Sequence, residues 1–68
     1  MGKTYKIIEI VGTSSKSYDD AVKNAVSEAS KSLTGLSWFE VVQMRGGIKE
    51  GNIEEYQVIL KVGFRLQD

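Results

Sequence analysis

Near the C-terminus of the chain, apolar residues occupy every second position, and this pattern limits the fold more than any other feature. The apolar positions are Tyr56, Val58, Leu60, Val62, Phe64 and Leu66. The positions between them are of mixed polarity: Gln57, Ile59, Lys61, Gly63 and Arg65. Because successive side chains of a β-strand point to opposite faces, this period of two predicts a long strand with one apolar face. We expect the mixed face to serve as an interface or a ligand surface.

Two more strands and one helix are predicted upstream of that strand. Residues 4–11 are rich in β-branched side chains, which indicates a first strand. Ser17 is a candidate helix N-cap, and apolar residues then recur at helical spacing over residues 21–33. Residues 38–45 indicate a second strand, and the glycine-containing segment 46–52 is expected to form a connecting loop.

The order β-α-β-β predicts a single α+β domain over residues 1–68, with one helix packed on a three-stranded, largely antiparallel sheet. Gly35 is expected in the left-handed conformation that ends many helices. The apolar face of the last strand should lie under the helix. One helix covers only one face of a sheet, so the other face is predicted to be open in the isolated subunit.

The composition narrows both the source of stability and the chemistry. The chain has 68 residues and contains neither Cys nor His. So small a domain usually needs disulfides, a metal or partner subunits, and with the first two disfavoured we expect self-association. A Ser-His or Cys-His catalytic pair is also excluded. Nine basic and nine acidic residues cancel, which argues against a nucleic-acid partner.

The chain also lacks the sequence signals of a membrane or exported protein. No apolar run approaches the roughly 20 residues that a membrane span needs. The first residues are polar and basic, and no apolar core of a signal peptide follows them. We therefore expect a cytoplasmic protein with no membrane partner.

Trp38 is the only tryptophan, and it lies where the helix is predicted to end and the second strand to begin. A lone tryptophan in a small domain is more often part of the core. At the rim of a sheet, however, its indole face is available to stack on a planar ring. Gln57 offers a donor and an acceptor to a ring edge, while Arg45 and Arg65 suit phosphate groups. Each of these polar residues alone is typical of a solvent-exposed surface. Together with Trp38 they indicate a site for a ring that carries a phosphate tail.

Two blocks, LSWFEVVQMRG and EYQVILKVGFRL, strongly resemble the dodecins, a family of small flavin-binding proteins, and the opening KTYKIIEIVGTSSKSYDDAVKNAV fits the same family. The resemblance implies that β-α-β-β subunits assemble into a hollow homododecamer. It implies that Trp38 stacks on an isoalloxazine ring and that Gln57 hydrogen-bonds the edge of that ring. Arg45 and Arg65 match positions where bacterial-type members place arginines near the phosphate-bearing tail.

The ligand implied by the resemblance is FMN, with riboflavin or FAD as alternatives. The implied role is non-catalytic storage and sequestration of the flavin, in which the stacked indole also quenches flavin photochemistry. Gln67 and Lys31 complete the candidate cofactor-binding residues. Some bacterial members of the family also hold coenzyme A, and Lys31 is the basic residue that this chain offers near the end of the helix for its extra phosphates.

One part of this prediction conflicts with simple strand geometry. Trp38 and Arg45 have opposite parity on an ideal strand, so they should point to opposite faces of the sheet. A bulge near residues 43–47 would bring them to the same face. Alternatively, Arg45 meets a ligand that is held by a neighbouring subunit.

Two other functions remain open from the sequence. A chain can keep a fold and lose its site, so a ligand-free structural or oligomerisation module of the same fold is the first alternative. The second is a flavoenzyme, against which stands the lack of a suggested proton-transfer group beyond Glu40 or Tyr56.

Overall fold

The structure, a computed structural model, describes residues 2–66 and has the predicted order of elements. Strand β1 spans Tyr5–Ser14, helix α1 spans Tyr18–Ser32, strand β2 spans Leu36–Lys49, and strand β3 spans Asn52–Arg65. The strands form one sheet in the order β1-β3-β2, and both neighbouring pairs are antiparallel. The predicted α+β class, with one helix on a three-stranded antiparallel sheet, is confirmed.

Strand β3 lies at the centre of the sheet and supplies the core. Val58 and Leu60 are fully buried and Val62 is 2% exposed, all on the face under the helix. Ala21 and Ala25 are the buried residues of α1 that meet them. Because alanine is small, the helix can lie close to the sheet. A side chain at Gly12 of β1 would overlap the backbone of Ala21, so this position requires glycine.

Side chains of β1 and α1 hold the start of the helix. Ser17 is the N-cap, as predicted, and its hydroxyl oxygen accepts a hydrogen bond of 3.0 Å from the backbone N–H of Asp20. The buried Ser14 hydroxyl donates to the Asp20 carboxylate at 2.7 Å. This hydrogen bond, helped by the charges of Lys16 and Lys23, lowers the pKa of Asp20 below its ordinary value.

The end of the helix differs from the prediction. The C-cap is Leu33 in an extended conformation, with its backbone N–H donating to the carbonyl of Ala29. Gly35 does adopt the left-handed conformation, with φ of 74°, but it lies in the link to β2 and not at the helix end. There its carbonyl accepts a hydrogen bond from the backbone N–H of Arg65 at 3.0 Å.

The expectation of a loop over residues 46–52 was wrong. Strand β2 continues to Lys49, and the reversal is made by Glu50 and Gly51, which both have positive φ. Two such residues form the tight turn that fits a twisted hairpin. Gly46 occurs within the strand because a Cβ there would approach the carbonyl oxygen of Glu55 to 2.8 Å. The result is a long β2–β3 hairpin in a molecule of 54 × 20 × 14 Å.

Helix α1 packs mainly on β1 and β3, so part of β2 is left uncovered on the helix side. Phe39, Val41 and Met44 are 51%, 42% and 55% exposed there. They line an apolar groove of about 470 Å³, together with Tyr18 and Val22 of the helix. Within residues 2–66, this groove and the sheet face away from the helix both expose apolar side chains.

Candidate functional site

The face of the sheet away from the helix, which we call the open face, carries four of the predicted site residues near its two ends. Residues that are directly paired across a ladder share a face, so the register assigns them. Trp38 pairs with Gly63, and Arg45 pairs with Gln57. On the other side of β3, Tyr5 pairs with Arg65.

A bulge in β2 explains why Trp38 and Arg45 share this face. The register shifts between Val41 and Gln43, which leaves Val42 as an extra residue. One extra residue reverses the alternation of all side chains beyond it. Of the two explanations left open by the sequence, a bulge is therefore present, and it lies at Val42, just before the segment 43–47 where it was expected.

The indole of Trp38 occupies the space directly above Gly63. A Cβ at position 63 would overlap carbon atoms of the six-membered indole ring. The ring of Tyr5, on strand β1, also contacts the indole. The centroids of the Tyr5 and Trp38 rings are 5.0 Å apart, and their planes are tilted by 54°. Trp38 nevertheless remains 44% exposed. The indole is thus held by the sheet and by Tyr5 while much of its surface remains open to solvent.

At the other end of the open face, Arg45, Gln57 and Glu55 form a row of hydrogen bonds. Arg45 Nε donates to Gln57 Oε1 at 2.7 Å. Gln57 Nε2 donates in turn to Glu55 Oε1 at 2.8 Å. We call these three residues the amide row. Gln57 and Glu55 are half-buried, and Arg45 is exposed.

Trp38 and the amide row are far apart within one subunit. Gly63 and Gln57, their respective positions on β3, are separated by six residues, or about 20 Å at ~3.3 Å per residue. A single aromatic ring stacked on Trp38 cannot reach Gln57 of the same chain. The residues that the sequence predicts to share one site are therefore divided between the two ends of the open face. Only contact between subunits would bring the two ends together.

The remaining predicted site residues lie in three different places. Arg65 is exposed at the end of β3, on the open face beside Tyr5 and at the Trp38 end. Lys31 lies on the helix, on the opposite side of the sheet, and pairs with Glu28 at 3.1 Å. Gln67 lies outside the described residues. The structure thus brings Arg65 near Trp38 and Arg45 near Gln57, and it places Lys31 with neither pair.

Sequence reasoning did not single out Glu55 as a site residue. The available signal was its position two residues before Gln57, since residues i and i+2 of a strand share a face. Across β2, Glu55 is paired with Gly47, which has no side chain to compete for the same space. That pairing depends on β2 continuing through Gly46 and Gly47, for which the sequence predicts a loop.

The described part of the chain shows neither a membrane-spanning helix nor an obvious metal centre. Over residues 2–66, no helix is long and apolar enough to cross a membrane. Over the same residues, no group of three or more acidic, His or Cys side chains is placed to hold a metal ion.

Comparison with known proteins gives consistent matches over nearly the whole chain. A family model described as Dodecin matches residues 4–67. The dodecin of Thermus thermophilus is 50% identical over 68 residues, which cover 100% of this chain and 99% of that protein. The structure of the dodecin from Streptomyces davaonensis superposes with a TM-score of 0.96 at 46% identity, covering 100% of both chains.

A more distant relative carries a different ligand in its name. The protein called calcium dodecin from Mycobacterium tuberculosis is 29% identical over 63 residues, which cover 93% of this chain and 89% of that protein. The family model and the full-length relatives agree with the fold described above. The chain belongs to the dodecin family.

Proposed function

We propose that this protein binds an FMN-type flavin and stores it without turnover. The observation that carries the proposal is the position of Trp38, whose indole lies over Gly63 on the open face and is 44% exposed. A tryptophan needed only for the core would be buried against the helix. Here the core is formed by other residues, and the largest side chain of the chain is presented at a surface.

The chemistry of the indole suits an isoalloxazine ring. Aromatic stacking contributes about 0.5–1.5 kcal/mol beyond the burial of apolar area. An indole is also an electron donor, so a flavin stacked on Trp38 loses its fluorescence and its photochemistry by electron transfer. Storage on Trp38 would therefore suppress the photochemistry of the flavin. A tryptophan that covers the ring face would also hinder access of a substrate to the flavin.

The amide row supplies the polar part of the proposed site. After its bonds to Arg45 and Glu55, the Gln57 amide keeps one N–H and one oxygen lone pair. These suit the ring edge of a flavin, where an N–H lies between two carbonyl groups. Because Trp38 and Gln57 of one chain are about 20 Å apart, the ring stacks on Trp38 of one subunit and meets Gln57 of a neighbour. The homododecamer expected of the family would provide such contacts.

The two arginines then have different roles in the proposal. Arg65 lies at the Trp38 end of the open face and is exposed, so it suits the phosphate of a flavin stacked on Trp38. Arg45 is engaged with Gln57, so it acts mainly at the ring edge. This difference favours FMN over riboflavin as the ligand. Lys31 on the helix remains the residue proposed to hold the phosphates of coenzyme A, and the proposed location is the cytoplasm.

Titration of FMN fluorescence with the apoprotein, combined with size-exclusion chromatography of the same sample, tests the proposal. We expect strong quenching at about one flavin per chain in a large assembly. A large assembly that leaves FMN fluorescence unchanged would contradict flavin storage and would favour the ligand-free oligomerisation module. Steady oxidation of NADH by the flavin-loaded protein would contradict the absence of catalysis.

A further inference from the structure

Both polar atoms of the Gln57 side chain form hydrogen bonds, one to a group that can only donate and one to a group that can only accept. The Arg45 guanidinium only donates hydrogen bonds, and its Nε lies 2.7 Å from Gln57 Oε1. A Glu55 carboxylate only accepts, and its Oε1 lies 2.8 Å from Gln57 Nε2. If the amide were rotated by half a turn, its N–H₂ would face a donor and its oxygen would face an acceptor. The amide therefore has a single favourable orientation before any ligand arrives.

We propose that Glu55 is a positioning residue that fixes the Gln57 amide for a ligand with a cyclic imide edge. This inference rests on the proposed function and deepens it. With the amide fixed, the oxygen on the Arg45 side accepts from the imide N–H, and the N–H on the Glu55 side donates to one flanking carbonyl. Glu55 thus sets the direction in which the ring enters, and it favours rings whose imide N–H is free.

The surroundings of Glu55 support a role in orienting Gln57. Glu55 is half-buried although it lies close to the tip of the hairpin. Gly47 is its partner across β2, and even a Cβ there would only touch the Cβ of Glu55, at 3.9 Å. The carboxylate is thus free of cross-strand crowding and reaches along β3 to Gln57. Glu54, the preceding residue, is exposed and carries the same charge, so it is a matched control.

The test compares riboflavin with N3-methylriboflavin, in which the imide N–H is replaced by a methyl group. Affinities for both ligands are measured by fluorescence quenching on the wild type, E55L, E55Q and E54L, each as the intact assembly. We expect the wild type to prefer riboflavin by about tenfold, which is the scale of one or two net hydrogen bonds. E55L should reduce that preference to threefold or less, while affinity for the methylated ligand changes little.

The variants E55Q and E54L show whether an effect of E55L comes from lost positioning of Gln57, from the lost negative charge or from impaired folding. E55Q keeps an oxygen that can accept from Gln57, so it should retain most of the preference, and E54L should retain all of it. A preference unchanged in E55L would overturn the role of Glu55, and so would an equal loss in E54L. Failure of the flavin proposal itself gives a different result, a wild type that quenches neither ligand, and it removes the Glu55 role with it. Quenching at saturation stays constant across the variants because Trp38 is intact.

Discussion

The indole of Trp38 lies over the backbone of Gly63, its partner across the β2–β3 ladder, in space that any side chain at position 63 would fill. The substitution Gly63→Ala should therefore displace the indole. We expect a loss of about 1–3 kcal/mol in stability or in FMN binding, the usual cost of overpacking. Gly47→Ala is the control, because a Cβ there meets its nearest neighbour at an ordinary 3.9 Å. Equal FMN quenching by the two variants would refute this steric coupling.

Replacement of Trp38 itself tests the stacking. Trp38→Ala should weaken FMN binding by roughly 1–3 kcal/mol and restore the fluorescence of any flavin that still binds, because the stacking partner and electron donor is gone. Trp38→Phe should lie between this variant and the wild type, since it keeps a smaller ring. Isothermal titration and fluorescence lifetimes measure the two effects separately. Retained quenching in Trp38→Ala would show that the flavin binds elsewhere.

Substitution of Arg65 and substitution of Arg45 should change the affinities for FMN and riboflavin in different ways. Arg65→Ala should lower the affinity for FMN by about 1.5–3 kcal/mol, the scale of hydrogen bonds to a charged group, and should leave riboflavin nearly unchanged. Arg45→Ala should lower the affinity for both ligands, because it removes the hydrogen bond to the oxygen of the Gln57 amide. Lys61→Ala is a control that removes an exposed positive charge from the same face. Parallel titrations with FMN and riboflavin check this, and an identical pattern for both arginine variants would contradict it.

Hydrogen bonding between Ser14 and Asp20 makes stability depend on pH. Because the Ser14 hydroxyl lowers the folded-state pKa of Asp20 below the ordinary value of 3.8, Asp20 stabilises the fold above that value, and this contribution is lost as pH falls through the folded pKa. Ser14→Ala should raise the pKa of Asp20 and flatten the acid side of the stability profile.

Denaturant unfolding at neutral and acidic pH, together with an NMR titration of the Asp20 carboxyl, measures this effect. Ser15→Ala is the control, because Ser15 is exposed and adjacent in sequence. If the two variants lose stability in parallel at every pH, the hydroxyl of Ser14 does not act through the charge of Asp20.

The sequence predicts the fold well where a single period dominates. The alternation around Leu60 predicts both the long last strand and its buried face, and Ser17 marks the start of the helix. The continuation of the hairpin through residues 46–49 was not predicted because glycine is typical of loops, whereas Gly46 is needed for close backbone approach within a strand. Its turn at Glu50 and Gly51 depends on positive φ at both residues, which composition alone does not reveal.

The candidate site was only partly predictable. The side-chain types predict stacking, hydrogen bonds to a ring edge and contacts to phosphate. They do not predict how far apart these side chains lie in the fold. The extra residue at Val42 changes which face Arg45 occupies, and hydrophobic periodicity does not register a single bulge. The role of Glu55 depends on pairing through Gly47, so it appears only when the register is known.

The separation of Trp38 from Gln57 along β3 also affects how the proposed store would be filled and emptied. A ligand that needs both residues acts as a cross-link between chains, so flavin occupancy and degree of assembly are thermodynamically linked. Flavin should protect the assembly against dissociation on dilution, and dilution should in turn weaken apparent flavin affinity. The concentration of the chain itself would then decide how much flavin is kept.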